Sequence, residues 1–387
     1  MTKVNLTRCY PTVFLFLVAL GFFVIEPAAS ASLVPKAPQI NARAWMMQDF
    51  DSGRVMAEHN VDGRLEPASL TKMLTVYVAF AELRDGNIKL DDMVLVSEKA
   101  WKTTGSRMFI EVDKKVSVED LLLGIIVQSG NDAAVALSEY IAGDEASFAG
   151  LMNQYAKRLG LTDSNFTNST GLPDDDHYTT ARDLMRMAVS LIRDFPTLYL
   201  WHAKRHFKFN NIDQPNRNRL LWRDESVDGI KTGYTTSAGY CLVASAKRDE
   251  MRLVTVVLGS QSGKARTEQT QTLLNYGFRF FETHLLYGAS EPVTEVRVWK
   301  GEKETLPIGL RREVFATIPR GQYKSIDAVV EVDRTVIAPI NLGEIKGKVM
   351  FTLGDEALGE YPLVALESVS EGSLWRRFSD NIQLMFE

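Results

Sequence analysis

A helical segment whose apolar side chains run all the way round its axis has no face to give to solvent, and one such segment dominates this chain. Over residues 67–84, Leu70, Met73, Leu74, Val76, Tyr77, Val78, Phe80 and Leu83 surround the axis instead of forming a stripe. Pro67 suits the start of this helix, and Asp85-Gly86-Asn87 suits its end. A helix of this kind must be wrapped by further layers, which demands a domain with a large core. The 387 residues suffice for that and for a second domain. With 45% hydrophobic and 24% charged residues the composition is that of a soluble globular protein. A net charge of −5 without a basic stripe argues against nucleic acid as a partner.

The rest of the chain supplies the wrapping. Residues 43–49 and 55–58 read as strands around the turn Asp51-Ser-Gly-Arg54. Residues 118–127, 132–142, 145–159 and 181–195 read as helices, with 168–178 as a loop rich in Asp, Gly and Pro. From 227 the period changes: 229–234, 238–246 and 252–259 form an antiparallel meander, and 268–285 returns to a helix. Beyond Ser290-Glu-Pro292 short Val/Ile-rich runs punctuated by Gly and Pro indicate a small β-sandwich or barrel. The expected class is therefore α+β, an antiparallel sheet flanked by helices over 32–290 and an all-β domain over 291–370.

Both termini are distinctive. Lys3 and Arg8 precede an apolar run over 12–25, and Ala29-Ser30-Ala31 follows, the pattern of a signal peptide spanning 1–31. The run is shorter than the ~20 residues needed to cross a bilayer. In the tail, 371–387, Leu374, Trp375, Phe378, Ile382, Met385 and Phe386 share one helical face, with Arg376 and Arg377 elsewhere. Such a helix can lie in a membrane interface. With Cys9 in the leader, Cys241 is the one cysteine left; its run of apolar neighbours reads as a buried strand and an inert thiol.

Ser69-Leu-Thr-Lys72 places a hydroxyl and an amine one turn apart at the head of the central helix. A lysine can serve as a base there if burial or a neighbouring cation lowers its pKa. Ser129-Gly-Asn131 stands at a helix junction, and Lys231-Thr-Gly233 opens a strand. His202 and His206 are four apart, but Ala203 stands where a zinc peptidase needs glutamate, so they read as surface histidines and no metal site is expected.

These three motifs, in this order, resemble those of the penicillin-recognising serine acyltransferases, the penicillin-binding proteins and class A β-lactamases. The resemblance implies a β-lactamase/transpeptidase-like fold. It implies Ser69 as nucleophile, Lys72 as its base, Ser129 as proton relay and Asn131 as a partner of Lys72 and the substrate amide. It further implies Lys231 and Thr232 as carboxylate contacts, with Gly233 completing that motif on an edge strand. The backbone N–H groups of Ser69 and Tyr234 would form the oxyanion hole, and Arg266 would bind a carboxylate. Several phrases are similar to the low-molecular-mass D-alanyl-D-alanine carboxypeptidases: Glu66-Pro-Ala-Ser-Leu-Thr-Lys-Met, Gln128-Ser-Gly-Asn-Asp-Ala, Asn168-Ser-Thr-Gly-Leu and Val227-Asp-Gly-Ile-Lys-Thr-Gly-Tyr-Thr. Their domain order is similar too. No Glu-x-x-x-Asn occurs between Asn131 and Lys231, unlike class A β-lactamases.

The implied substrate is a peptidoglycan pentapeptide stem, with β-lactams as covalent inhibitors and no cofactor. The implied location is the periplasmic face of the bacterial inner membrane. A D,D-endopeptidase, a β-lactamase and a non-catalytic tethered scaffold are the alternatives. A membrane-parallel tail suits a homodimer as well as a monomer.

Overall fold

The computed structural model describes residues 34–386; the expected signal peptide and Cys9 lie outside the described residues. A five-stranded antiparallel sheet forms the frame. Its strands are β1 (Ala44–Asp49), β2 (Val55–His59), β3 (Val227–Thr235), β4 (Gly239–Arg248) and β5 (Met251–Ser260), in the spatial order β2-β1-β5-β4-β3. The β3, β4 and β5 runs are joined by tight turns and pair consecutively, as alternating apolar strands do. β3 is left at an edge, with one side free to face a ligand.

The segment from Pro67 divides into a 3₁₀ turn, Ala68–Thr71, and helix α1 (Lys72–Arg84). Every residue from Lys72 to Ala81 is buried, as the all-round apolar pattern requires. Around it stand α2 (Val118–Leu123), α3 (Asn131–Ala142), α4 (Glu145–Arg158) and α5 (Ala181–Asp194). Ser117, Asp144 and Thr180 cap α2, α4 and α5 by accepting from backbone N–H groups, which sets where those helices begin. The expected helix over 118–127 ends as an α-helix at Leu123 and continues as one π-helical turn, Gly124–Gln128. That wider turn delivers Ser129 in a left-handed conformation, φ 66°.

The sheet divides two layers by its period of two. Met46, Val254 and Val256 join the core built round α1, whereas Met47 and Leu253 meet Gly277 of α6 (Gly263–Phe280) on the opposite face. The expected helix over 268–285 is corrected here. It runs Gly263–Phe280, starting at a cap by Ser262, and the chain then turns into strand β6 (Phe281–Tyr287). β6 pairs antiparallel with β9 (Val314–Pro319). Phe281 and Thr283 point inward, and pairing with β9 outweighs the helical pattern of the preceding residues.

The strands that follow in the C-terminal part are β7 (Pro292–Trp299), β8 (Thr305–Gly309), β10 (Ile326–Val332), β11 (Val336–Ile337), β12 (Ile345–Leu353) and β13 (Glu356–Ala365). They form a six-stranded sheet with a separate core of Val298, Leu306, Ile308, Val349, Phe351 and Leu363. Asp49 ties this β domain to the first. Its carboxylate is fully buried, accepting from Ser52 on one oxygen and from the Thr283 hydroxyl at 2.7 Å on the other. Ser52 and Thr317 hydroxyls meet at 2.6 Å beside it.

Helix α7 (Leu374–Leu384) docks on the β domain through polar groups. Asp380 accepts from the Lys300 N–H, Arg297 donates to Gln383, and Arg376 pairs with Glu304. Its apolar residues face outward: Leu374 is 83% exposed, Trp375 78% and Phe378 58%. Among the described residues no helix is long and apolar enough to cross a membrane.

Candidate active site

The 3₁₀ turn before α1 presents Ser69 at the edge of a cleft while burying Lys72 completely. Lys72 Nζ stands 3.0 Å from Ser69 Oγ, 2.6 Å from Asn131 Oδ1 and 2.6 Å from the Thr170 carbonyl. A neutral amine has two N–H groups and one lone pair. Asn131 and Thr170 can take the two N–H bonds, which leaves the lone pair for the Ser69 hydroxyl. Burial pushes the Lys72 pKa down to about 7, the Arg217 charge adds to the drop, and Asp132 and Glu145 oppose it.

Asn131 is held in turn. Its Nδ2 donates to the Thr104 carbonyl and its N–H to the Ser106 carbonyl. Next to it the buried Asp132 accepts from the N–H groups of Met108, Phe109 and Ile110, so one loop and one helix start are locked together. Ser129, buried in the same junction, accepts a 2.8 Å hydrogen bond from Lys231 Nζ, which also donates to the Thr232 carbonyl at 3.0 Å. Burial, then the charges of Lys72, Arg217 and Arg266, hold the Lys231 ammonium well below the usual lysine range.

Edge strand β3 brings Lys231 and Thr232 to the cleft, and Gly233 lets it approach the Ser69 turn. A Cβ at Gly233 would lie 3.1 Å from the Pro67 carbonyl and 3.3 Å from Ala68 and Leu70. Tyr234 is half exposed at the cleft mouth, its ring tilted against that of Tyr240 with centroids 4.3 Å apart. Arg266, from the first turn of α6, donates to the carbonyls of Gly233 and Cys241 and lines the cleft. The cavity, about 270 Å³, is bordered by Ser69, Ser129, Asn131, Thr232, Gly233, Tyr234 and Arg266. The nine expected site residues therefore converge, with Lys72 and Lys231 beneath its floor.

Three contributors lie outside the Ser-x-x-Lys, Ser-x-Asn and Lys-Thr-Gly motifs. The loop 168–178 gives Lys72 the Thr170 carbonyl, and Gly171 sits there at φ +80° with an added Cβ only 1.8 Å from the Ala68 carbonyl. The phrase Asn168-Ser-Thr-Gly-Leu was the available signal. His177, buried and kept neutral with its pKa pushed down to about 4 by burial, lies 2.9 Å from the Thr71 hydroxyl behind the Ser69 turn. Arg217 lines the cleft and donates to the Gln128 carbonyl.

His202 also departs from expectation. It is buried rather than superficial, stacks on Tyr199 and hydrogen-bonds the Ile230 carbonyl, whereas His206 is exposed beside Asp213. Cys241 is buried and its pKa raised by burial, as an inert strand thiol should be. Among the described residues no group of His, Cys, Asp and Glu is arranged to hold a metal ion.

The chain has known counterparts. The model of the D-alanyl-D-alanine carboxypeptidase family matches residues 31–262, and that of the penicillin-binding protein 5 C-terminal domain matches 281–371. D-alanyl-D-alanine carboxypeptidase DacC of Escherichia coli K12 is 43% identical over 373 residues, 94% of this chain and 93% of its own. DacA of the same organism is 39% identical over 363 residues, 92% and 90% of the two chains. Penicillin binding protein 5 from Haemophilus influenzae superimposes with a TM-score of 0.84 at 40% identity, covering 87% of this chain and all of that one. With one family model over 31–262, another over 281–371 and a 43% identical relative across 94% of its length, the chain belongs to the serine-type D-alanyl-D-alanine carboxypeptidase family.

Proposed function

We propose that this enzyme removes the terminal D-alanine from peptidoglycan pentapeptide stems through an acyl-enzyme on Ser69. The observation that carries the reading is the 3.0 Å contact between Ser69 Oγ and a buried lysine whose pKa is about 7. At neutral pH a large fraction of Lys72 is the free base. It takes the Ser69 proton as Oγ attacks the carbonyl of the penultimate D-alanine. The oxyanion is received by the N–H groups of Ser69 and Tyr234.

The leaving amine needs a proton as the C–N bond breaks. Ser129 relays to it the proton that Lys72 took from Ser69, with Lys231 at 2.8 Å to stabilise the relay, so that Lys72 is a free base again. The substrate's terminal carboxylate lies against Thr232, Lys231 and Arg266, where cations outnumber carboxylates. Water activated by Lys72 then hydrolyses the Ser69 ester, and one water is consumed per D-alanine released. A β-lactam offers a strained amide and a carboxylate to the same groups, so it acylates Ser69 as well.

Export by a signal peptide and attachment through α7 to the periplasmic face of the inner membrane complete the reading. The outward apolar face of α7 supports the attachment. Mass spectrometry of the penicillin-treated protein tests the chemistry. An adduct at Ser69, together with penicillin-sensitive release of D-alanine, is expected; an adduct elsewhere, or none, would overturn it.

A further inference from the structure

Asp132, the second residue of α3, is 1% exposed, and among the described residues no cation forms an ion pair with it. Backbone amides hold its carboxylate instead. Oδ1 accepts from the N–H groups of Met108 and Ala133, both at 2.9 Å, and Oδ2 from those of Phe109 at 2.9 Å and Ile110 at 3.3 Å. The first turn of a helix favours a negative charge, but three of these four bonds reach out to another segment, the loop 103–113. Phe109 sits in that loop at φ 68°, a left-handed conformation that a bulky side chain resists. The carboxylate therefore holds the loop against its own strain.

What the loop does in return is grip Asn131. The Thr104 carbonyl accepts from Asn131 Nδ2 at 2.6 Å, and the Ser106 carbonyl accepts from its backbone N–H at 2.6 Å. Between them Gly105, at φ +92°, comes so close that an added Cβ would lie 2.6 Å from Asn131 Nδ2. Gly105 and Ser106 also line the cleft. The fit extends to the middle of the Ser-x-Asn motif, because a Cβ at Gly130 would stand 2.9 Å from Asp132 Oδ1 and 3.2 Å from the Met108 nitrogen. From Asp132 the contacts thus run through the loop to Asn131, and from Asn131 Oδ1 to Lys72 Nζ at 2.6 Å.

Charge gives the same residue a second effect. Lys72 becomes an ammonium when it takes the Ser69 proton, in surroundings that already hold the cations Arg217 and Lys231. His177, from the loop behind the Ser69 turn, is neutral and offers no compensation. Of the two carboxylates that act on Lys72, Glu145 is already paired with Lys99 at 2.9 Å and accepts from Ser169, whereas Asp132 meets amides alone. We propose, resting on the function above, that Asp132 is a positioning residue of the reaction. It fixes Asn131 and so Lys72 through the loop, and its charge offsets the one that Lys72 acquires as Ser69 is deprotonated.

The test measures kcat/KM for D-alanine release from a pentapeptide against pH in the full chain, in D132N and in D132E. D132N removes the charge and sets an NH₂ group against backbone donors. Its plateau should fall by about tenfold or more, and its acid limb should move below the wild-type position near 7, because Asp132 opposes the drop in the Lys72 pKa. A carboxylate that only braced the loop would lower the plateau and leave the limb in place. D132E keeps the charge but displaces it by one methylene, so its plateau should fall while its limb stays; it carries the test if D132N does not fold. An unmoved limb in folded D132N overturns the inference, as does a plateau within about twofold of wild type in either variant. A wild type that neither releases D-alanine nor takes penicillin on Ser69 overturns the underlying function instead.

Discussion

Lys231 donates a 2.8 Å hydrogen bond to Ser129 although 102 residues separate them. The pair joins the edge strand β3 to the end of the π-helical turn, and it is buried beneath the cleft. A proton relay made of two groups should fail as a unit. Ser129→Ala and Lys231→Gln are each expected to slow acylation by about 100-fold or more, and the double variant should be little worse than either. Rates of labelling by a fluorescent penicillin measure this. Additive losses would show that the two act separately.

The Lys72 pKa sets the acid limb of the pH profile. Lys72 must be neutral to accept the Ser69 proton, so kcat/KM should rise with pH through about 7 and level off above it. Arg217 is one cause of that low value, so Arg217→Gln should move the limb to higher pH. The stability sign follows from the same shift. Between about pH 7 and the unfolded value near ~10.4, the unfolded chain holds a proton that native Lys72 has lost. Folding stability should therefore gain from this group as pH rises through that window. A limb unmoved by Arg217→Gln in pentapeptide kinetics would remove Arg217 from this role.

Much of this site could be read before the fold was known, because its chemistry rests on side chains in short local motifs. Ser69 and Lys72 lie one turn apart on a helix whose all-round apolar pattern predicts burial, and burial is what makes Lys72 a base. The Thr170 contact had no such signature, since the group involved is a backbone carbonyl delivered by a loop 98 residues away. Arg217 was one arginine among several until folding set it beside Arg266. The residues Phe281–Tyr287 misled for a different reason. Their helix-like neighbours in α6 end without a glycine, and only pairing with Val314–Pro319 makes them a strand. His202 was misjudged because burial by Tyr199 and β3 is a tertiary fact.

Gly171 is the position where backbone freedom most directly supports catalysis. Its φ of +80° disfavours any side chain, and an added Cβ would strike the Ala68 carbonyl at 1.8 Å, on the turn that carries Ser69. Gly171→Ala should cost about 3 kcal/mol in stability or push the loop off Lys72. In the second case the Thr170 carbonyl no longer holds the amine, and penicillin acylation falls while the protein stays folded. Thermal denaturation and acylation kinetics on the same sample separate the two. A variant normal in both would show that the loop adapts freely.

The tail helix supplies a prediction independent of catalysis. Asp380, Gln383 and Arg376 are taken up by contacts with the β domain, which fixes the rotation of α7 about its axis. That rotation leaves Leu374, Trp375, Phe378, Ile382, Met385 and Phe386 facing away from the protein, all exposed. An apolar face of this size is costly in water and gains about 2 kcal/mol for each large side chain moved into a lipid interface. Replacing Trp375 and Phe378 by glutamate removes two such gains and adds two charges. Sedimentation with vesicles containing anionic lipid should then show binding reduced by about 100-fold or more. Pentapeptide turnover in solution should be unchanged, because the cleft and α7 belong to different domains. Equal binding by both proteins would mean that the outward face of α7 meets something other than a membrane.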